Sequence, residues 1–323
     1  MDLIEAARTG NIERLTELIA AGVDIDCQDD KGFSALIAST LHAQATCLQQ
    51  LIDARADLEL KNYEGSTALM IAVANRRFHC VQRLINAGAN TEATSKIGIT
   101  CLMNAAAFGQ AASAQLLLDA KVNIDAKSQE GDTALILAAF KGHTKCAEKF
   151  IAAGADINAE MHHTNQSALY FAAVKGHDAI VQLLIGARAN IDVRDAQGRT
   201  PLLAATSEGR VRCVQLLVGA KANLEANDND GHLALATAAA RGDAACVQVL
   251  LDAKAQLEAR DRNGNTTLHI AAKSGKLVCL QLLVEAKANV NAKDVNGCDA
   301  LMLAAEQGHS ACVKYLGEVN MSQ

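Results

Sequence analysis

Gln129-Glu130-Gly131-Asp132-Thr133-Ala134-Leu135-Ile136-Leu137-Ala138-Ala139 opens a unit that this chain copies from end to end. Gly131 marks a tight turn, because glycine takes positive φ without steric cost. Thr133 brings the hydroxyl that caps a helix start. The run from Ala134 to Ala139 is apolar nearly all round, which predicts a helix buried on several sides. Gly142 stops it, and a second helix is predicted over about 144–152, with Cys146, Ala147, Phe150 and Ile151 apolar. Gly154 is the usual glycine past a helix end, and Ala155-Asp156-Ile157-Asn158-Ala159 leads to the next turn. Helices this short are marginal alone and need neighbours over their apolar faces.

The turn glycine returns every 33 residues, at Gly32, Gly65, Gly98, Gly131, Gly198, Gly231, Gly264 and Gly297. One member departs: after a single inserted residue the position falls on Asn165, a residue type that also tolerates left-handed backbone. The first helix opens as Ser34-Ala35-Leu36-Ile37, Thr67-Ala68-Leu69-Met70, Thr200-Pro201-Leu202-Leu203 and Thr266-Thr267-Leu268-His269. The second ends as Gln182-Leu183-Leu184, Gln215-Leu216-Leu217 and Gln281-Leu282-Leu283.

On these phrases the chain resembles the ankyrin repeat proteins, whose signature is Thr-Pro-Leu-His-x-Ala at a 33-residue period. The segment from Thr266 to Gly275 is close to that signature, and the resemblance covers essentially the whole chain. It implies an all-α repeat: an ankyrin-type solenoid of helix-turn-helix units with short β-hairpin loops. The expected organisation is a single domain over 1–323, with units at about 1–29, 30–62, 63–95, 96–128, 129–161, 162–195, 196–228, 229–261, 262–294 and 295–323. The family's proline survives only as Pro201 and its histidine only as His269. Ala43 and Arg76 replace the glycine between the helices, and His162-His163-Thr164-Asn165 carries the extra residue. The hairpin around 160–166 is therefore the expected place for an irregular stack.

Composition narrows the function. Half of the residues are apolar but only 3% are aromatic, so the core is built from Ala, Leu, Ile, Val and Cys. The formal charge of −6 gives no global attraction for nucleic acid or anionic lipid. No apolar run approaches the roughly 18–20 residues that span a bilayer, and the acidic N-terminal stretch does not resemble a secretory signal. The expectation is a monomeric protein of the cytoplasm or nucleus.

Cys47, Cys80, Cys146, Cys213, Cys246, Cys279 and Cys312 share one position near the start of the second helix. Neighbouring helices sit about 8–10 Å apart, beyond the roughly 7 Å Cα limit for a disulfide. They read as small buried hydrophobes, with Cys298, beside a turn glycine, the more exposed thiol. No Cys-x-x-Cys pair occurs, and the adjacent pair His162-His163 has no further ligand at metal spacing. No metal, cofactor or catalytic residue is expected. Gly275-Lys276 lacks the flanking residues of a phosphate loop, and no nucleophile elbow is present. The recurrent Asp195, Asp228, Asp261 and Asp294 fit turn hydrogen bonding.

The resemblance implies that partners lie across a concave face made by hairpin tips and first helices, where the copies differ most. Eight of the nine aromatics fall between Phe33 and Phe171. Aromatic anchors dominate interface energies. The expected partner-binding residues are Phe33, Leu41, Tyr63, Ile97, Ile99, Phe108, Phe140 and Val174, on the second to sixth units, whereas Phe78, Phe150 and Phe171 are read as core. The partner would be another protein or a peptide, held by a non-catalytic adaptor or scaffold. The competing readings are an architectural spacer, a substrate for asparagine hydroxylation at loop residues such as Asn158 and Asn291, and an enzyme with an unrecognised site.

Overall fold

The computed structural model describes residues 2–321. Internal contacts divide the chain into two compact units, Met1–His162 and His163–Gln323, so the division falls inside the loop with the inserted residue. The first unit holds five helix pairs: α1 (Leu3–Thr9) and α2 (Ile12–Ala20), α3 (Ala35–Leu41) and α4 (Ala45–Asp53), α5 (Ala68–Ala74) and α6 (Phe78–Asn86), α7 (Cys101–Ala107) and α8 (Ala111–Asp119), α9 (Ala134–Lys141) and α10 (Thr144–Ala152). The second holds α11 (Ala168–Lys175) and α12 (Asp178–Gly186), α13 (Pro201–Ser207) and α14 (Val211–Gly219), α15 (Ala234–Arg241) and α16 (Ala244–Asp252), α17 (Thr267–Lys273) and α18 (Leu277–Glu285), α19 (Ala300–Glu306) and α20 (Ser310–Met321). Within each unit first helices pack on first helices and second on second.

The helix starts follow the residues that announced them. Thr67, Thr100, Thr133 and Thr200 accept a hydrogen bond from the amide three residues on, and Asp299 does the same for α19. This satisfies one orphan donor of each first turn. At α17, His269 is buried and its Nδ1 accepts from the Thr266 amide at 3.1 Å, which leaves Nε2 to donate to the Cys298 carbonyl at 3.2 Å. Leu233 stands at the one first-helix start where the capping residue has no side-chain acceptor.

The expected β-hairpins are reduced. Among the described residues only two isolated antiparallel bridges form, Gln28 with Ser34 and Thr94 with Thr100. Side chains hold the turns instead: Asp29 Oδ1 accepts from the Lys31 and Phe33 amides, both at 2.9 Å, and Asp228 Oδ1 does so from Asp230 and His232 at 2.9 Å. Asn62 makes the same pair of bonds. Burial opposes ionisation of Asp228, but the His232 amide and ring and the Asp230 amide outweigh it and hold the carboxyl below its ordinary range. A depressed carboxyl contributes stability above its unfolded value of ~3.9 and loses it as the pH falls through the folded value. Asp228→Asn, which keeps one acceptor but loses the charge, is therefore expected to lower stability near pH 7 and to leave it almost unchanged once the pH lies below the folded value. It should also flatten the acid limb of a stability-against-pH curve below about pH 4. An acid limb as steep as that of the parent chain would contradict this account.

Neighbouring loops are joined by a row of carboxylates. Asp26, Glu59, Glu92 and Asp125 each accept from a backbone amide of the next repeat, at 2.6–2.9 Å. In the second unit Asp192, Glu225 and Glu258 repeat the bond at 2.8–2.9 Å. Ala43 and Arg76, which replace glycine, keep the left-handed backbone at φ 59° and 58°, so the turn survives the substitution.

The core differs from expectation in two places. Phe150 is fully buried, as its position predicts, but Phe78 is 39% exposed and Phe171 only half-buried. Phe78 is the first residue of α6, a position outside the buried stripe that begins at Cys80 and Val81. All seven cysteines of the shared position are buried, as is Cys101, whereas Cys27 and Cys298 are half-buried. Burial pushes the thiols of Cys101, Cys213 and Cys246 up to about 12 and that of Cys146 to about 11. The thiolate is the reactive form. Titration of the native chain with a thiol reagent near pH 7.5 is thus expected to label Cys27 and Cys298 first. The other eight should react only on unfolding. Rapid labelling of all ten would show that the buried column is open.

Candidate partner-binding surface

The first unit contains seven of the eight expected binding residues, and Val174 lies in the second. Tyr63 and Ile97 stand on consecutive hairpins, 66% and 60% exposed. Their backbones are fixed: the Tyr63 amide donates to the Lys31 carbonyl at 3.2 Å, and the Ile97 carbonyl accepts from the Gln129 amide at 3.1 Å. The Tyr63 ring lies against Gly32, where a Cβ would come within 2.9 Å of it. Glycine at that turn thus supplies positive φ and also room for the ring. Ile99, across Gly98 from Ile97, is half-buried and returns toward the stack.

Phe108 caps α7 and is 41% exposed. Its carbonyl is taken by the Arg76 guanidinium at 3.0 Å, so the ring projects from an anchored backbone. Phe140 is half-buried, with the Lys141 ammonium 5.1 Å from the ring centroid. Phe33 and Leu41 are brought together with Ala38 and His42 around a depression of about 460 Å³, rimmed by the Arg8–Asp29 ion pair at 3.4 Å. In the second unit Val174 is half-buried on α11, and its carbonyl accepts from Arg210.

Three exposed apolar side chains on fixed backbone form a surface that can exclude water from a partner at low entropic cost. The inter-helix position behaves differently. There His143 and His309 reach back to the carbonyls of Ala107 and Lys273, both at 3.1 Å. Each ring fills the space over a glycine, Gly109 and Gly275, where a Cβ would lie 2.6 Å away. These histidines tie one repeat to the one before it. Among the described residues one group of possible metal ligands converges, with single ligand atoms of Asp228, Asp230 and His232 within 4.8 Å of one another. It coincides with the turn bonds of Asp228 given above.

A model for ankyrin repeats, three copies in length, matches over residues 3–95, 79–161, 102–195, 151–230, 169–261 and 235–322. The chain belongs to the ankyrin repeat family. Ankyrin repeats are generally protein–protein interaction modules and typically non-catalytic. No helix among the described residues is long and apolar enough to cross a membrane. No curated protein sequence matches the chain.

Proposed function

We propose that this ankyrin repeat chain is an adaptor or scaffold. It acts as a cytoplasmic monomer and holds a protein or peptide partner on the second to fifth repeats. The observation that carries the reading is the exposure of Tyr63, Ile97 and Phe108 on hairpins and a first-helix end of one compact unit. Phe33, Leu41, Ile99 and Phe140 would supply half-buried apolar flanks, and Val174 belongs to the same row of sequence positions. Large apolar groups left in water on a rigid frame favour association, because little order remains to be imposed on binding.

A photo-reactive benzoylphenylalanine at position 108, introduced in the native cell, tests the reading. It is expected to yield one predominant protein adduct. The same residue at Glu208, the equivalent position in a polar repeat, is expected to yield none of that adduct. No adduct at 108, or the same products from both positions, would defeat the proposal.

A further inference from the structure

Two asparagines of the second unit precede a glycine, in Asn263-Gly264 and Asn296-Gly297, and no other Asn-Gly pair occurs in the chain. Such a pair is chemically labile. Glycine has no Cβ to shield its backbone nitrogen, so that nitrogen can attack the carboxamide carbon of the asparagine before it. Both pairs occupy the same place, the tip of a hairpin turn, and in both the nitrogen starts out committed. The Gly264 amide donates to the Asp261 carbonyl at 3.0 Å, and the Gly297 amide to the Asp294 carbonyl at 3.1 Å. Both glycines have positive φ, 75° and 78°. Attack therefore requires the turn to open first.

The two turns are not held alike. The Asn263 carbonyl accepts from the Val295 amide at 3.1 Å, and the Arg260 guanidinium spans the Gly264 carbonyl at 2.7 Å and the Lys293 carbonyl at 2.6 Å. The Asn265 side chain adds a bond to Asp261 at 2.9 Å. A Cβ on Gly264 would meet the Val295 side chain and amide nitrogen, both at 3.0 Å. On Gly297 it would meet nothing within 4 Å, and Asn296 and Gly297 are both exposed. Among the described residues the Asn296 carbonyl accepts no hydrogen bond. What holds this tip is the pair of bonds from the Asn296 and Cys298 amides to Asp294 Oδ1, at 2.8 and 2.9 Å, and Asp261 makes the same pair in its own turn. Local opening costs least where the fewest contacts must break.

We propose that Asn296 is a site of spontaneous deamidation, converted in the folded chain while Asn263 is spared. The Gly297 nitrogen gives up its proton to hydroxide and forms a bond to Cγ of Asn296. The C–N bond of the carboxamide breaks and ammonia leaves. The cyclic succinimide that results takes up one water, which opens it at either carbonyl to aspartate or to isoaspartate. Isoaspartate carries the main chain through its side-chain carbon, so the tip gains a methylene and cannot keep both amides on Asp294. The change reaches the neighbouring helix. The Cys298 carbonyl accepts from His269 Nε2 at 3.2 Å, so a loosened tip weakens the tie to α17 and uncovers the half-buried Cys298 thiol.

Ageing the full chain in mildly alkaline buffer at physiological temperature, followed by peptide mass spectrometry, tests the proposal. In the folded chain Asn296 is expected to deamidate at least fivefold faster than Asn263. In urea, where only the adjacent residues count, the two rates should agree within twofold. A thiol reagent should then label Cys298 at least threefold faster in the deamidated fraction than in fresh protein. In an aged Asn296→Gln chain, whose longer side chain closes the ring far more slowly, Cys298 should keep its original rate. The proposal is overturned if Asn296 reacts no faster than Asn263 in the folded chain, or if the same difference persists in urea. Equal labelling of Cys298 before and after deamidation would overturn the coupling to α17.

Discussion

Phe150→Ala is expected to lower the unfolding free energy by about 3–5 kcal/mol, the usual cost of removing a buried aromatic ring. Phe150 is among the largest fully buried side chains of the chain. It occupies the position filled in other repeats by Leu51, Leu84, Leu117, Leu184, Leu217, Leu250 and Leu283, all fully buried. That comparison supplies an internal reference. Phe150→Leu puts the residue of the other repeats into the same environment and should cost under about 1.5 kcal/mol. Urea unfolding of the three proteins checks both values. In a solenoid each repeat touches only its neighbours, so the loss should appear in hydrogen exchange as weakened protection of α9 and α10. A cost for Phe150→Ala below about 1 kcal/mol would mean that the ring packs loosely and that the core between α8 and α10 is not closed.

Combined replacement of Tyr63 and Phe108 by alanine is expected to weaken the partner captured at position 108 by at least about 30-fold per residue. This corresponds to the roughly 2 kcal/mol that marks a central interface anchor. The same double variant should change unfolding stability by less than about 1 kcal/mol, because both rings already contact water in the free protein. Titration calorimetry with the captured partner and urea unfolding separate the two effects. Full affinity with lost stability would assign the rings to packing. Phe140 is a poorer probe, since it is half-buried and carries the Lys141 ammonium over its ring.

The sequence made the fold legible because its signals are local and repeated. Positive φ at Gly131, the Thr133 cap and the stop at Gly142 each depend on a few adjacent atoms, and each stands where the pattern placed it. The cysteine column was readable for the same reason: one position, one environment. Features that depend on two repeats at once were hidden. The carboxylates of Glu59 and Glu92 read as ordinary loop acids, yet each bonds an amide 31 residues on. The half-burial of Cys27 and the exposure of Phe78 follow from what neighbouring repeats fail to cover, which no local pattern reports. The aromatic bias toward the first half was plain from residue counts. Which rings face solvent was not, since that requires the rotation of each helix.

The row of loop carboxylates sets an arithmetic on how this chain can change length. Each acid bonds the repeat that follows it, never a remote one. Removing or duplicating one whole period inside a unit therefore presents every acid with an equivalent amide. A deletion one residue short of a period would leave a rung with no donor and turn the next first helix away from its seat. Growth by complete modules is the change this scaffold accepts with least disturbance, while the loop that holds the inserted residue is where that rule has already been broken once.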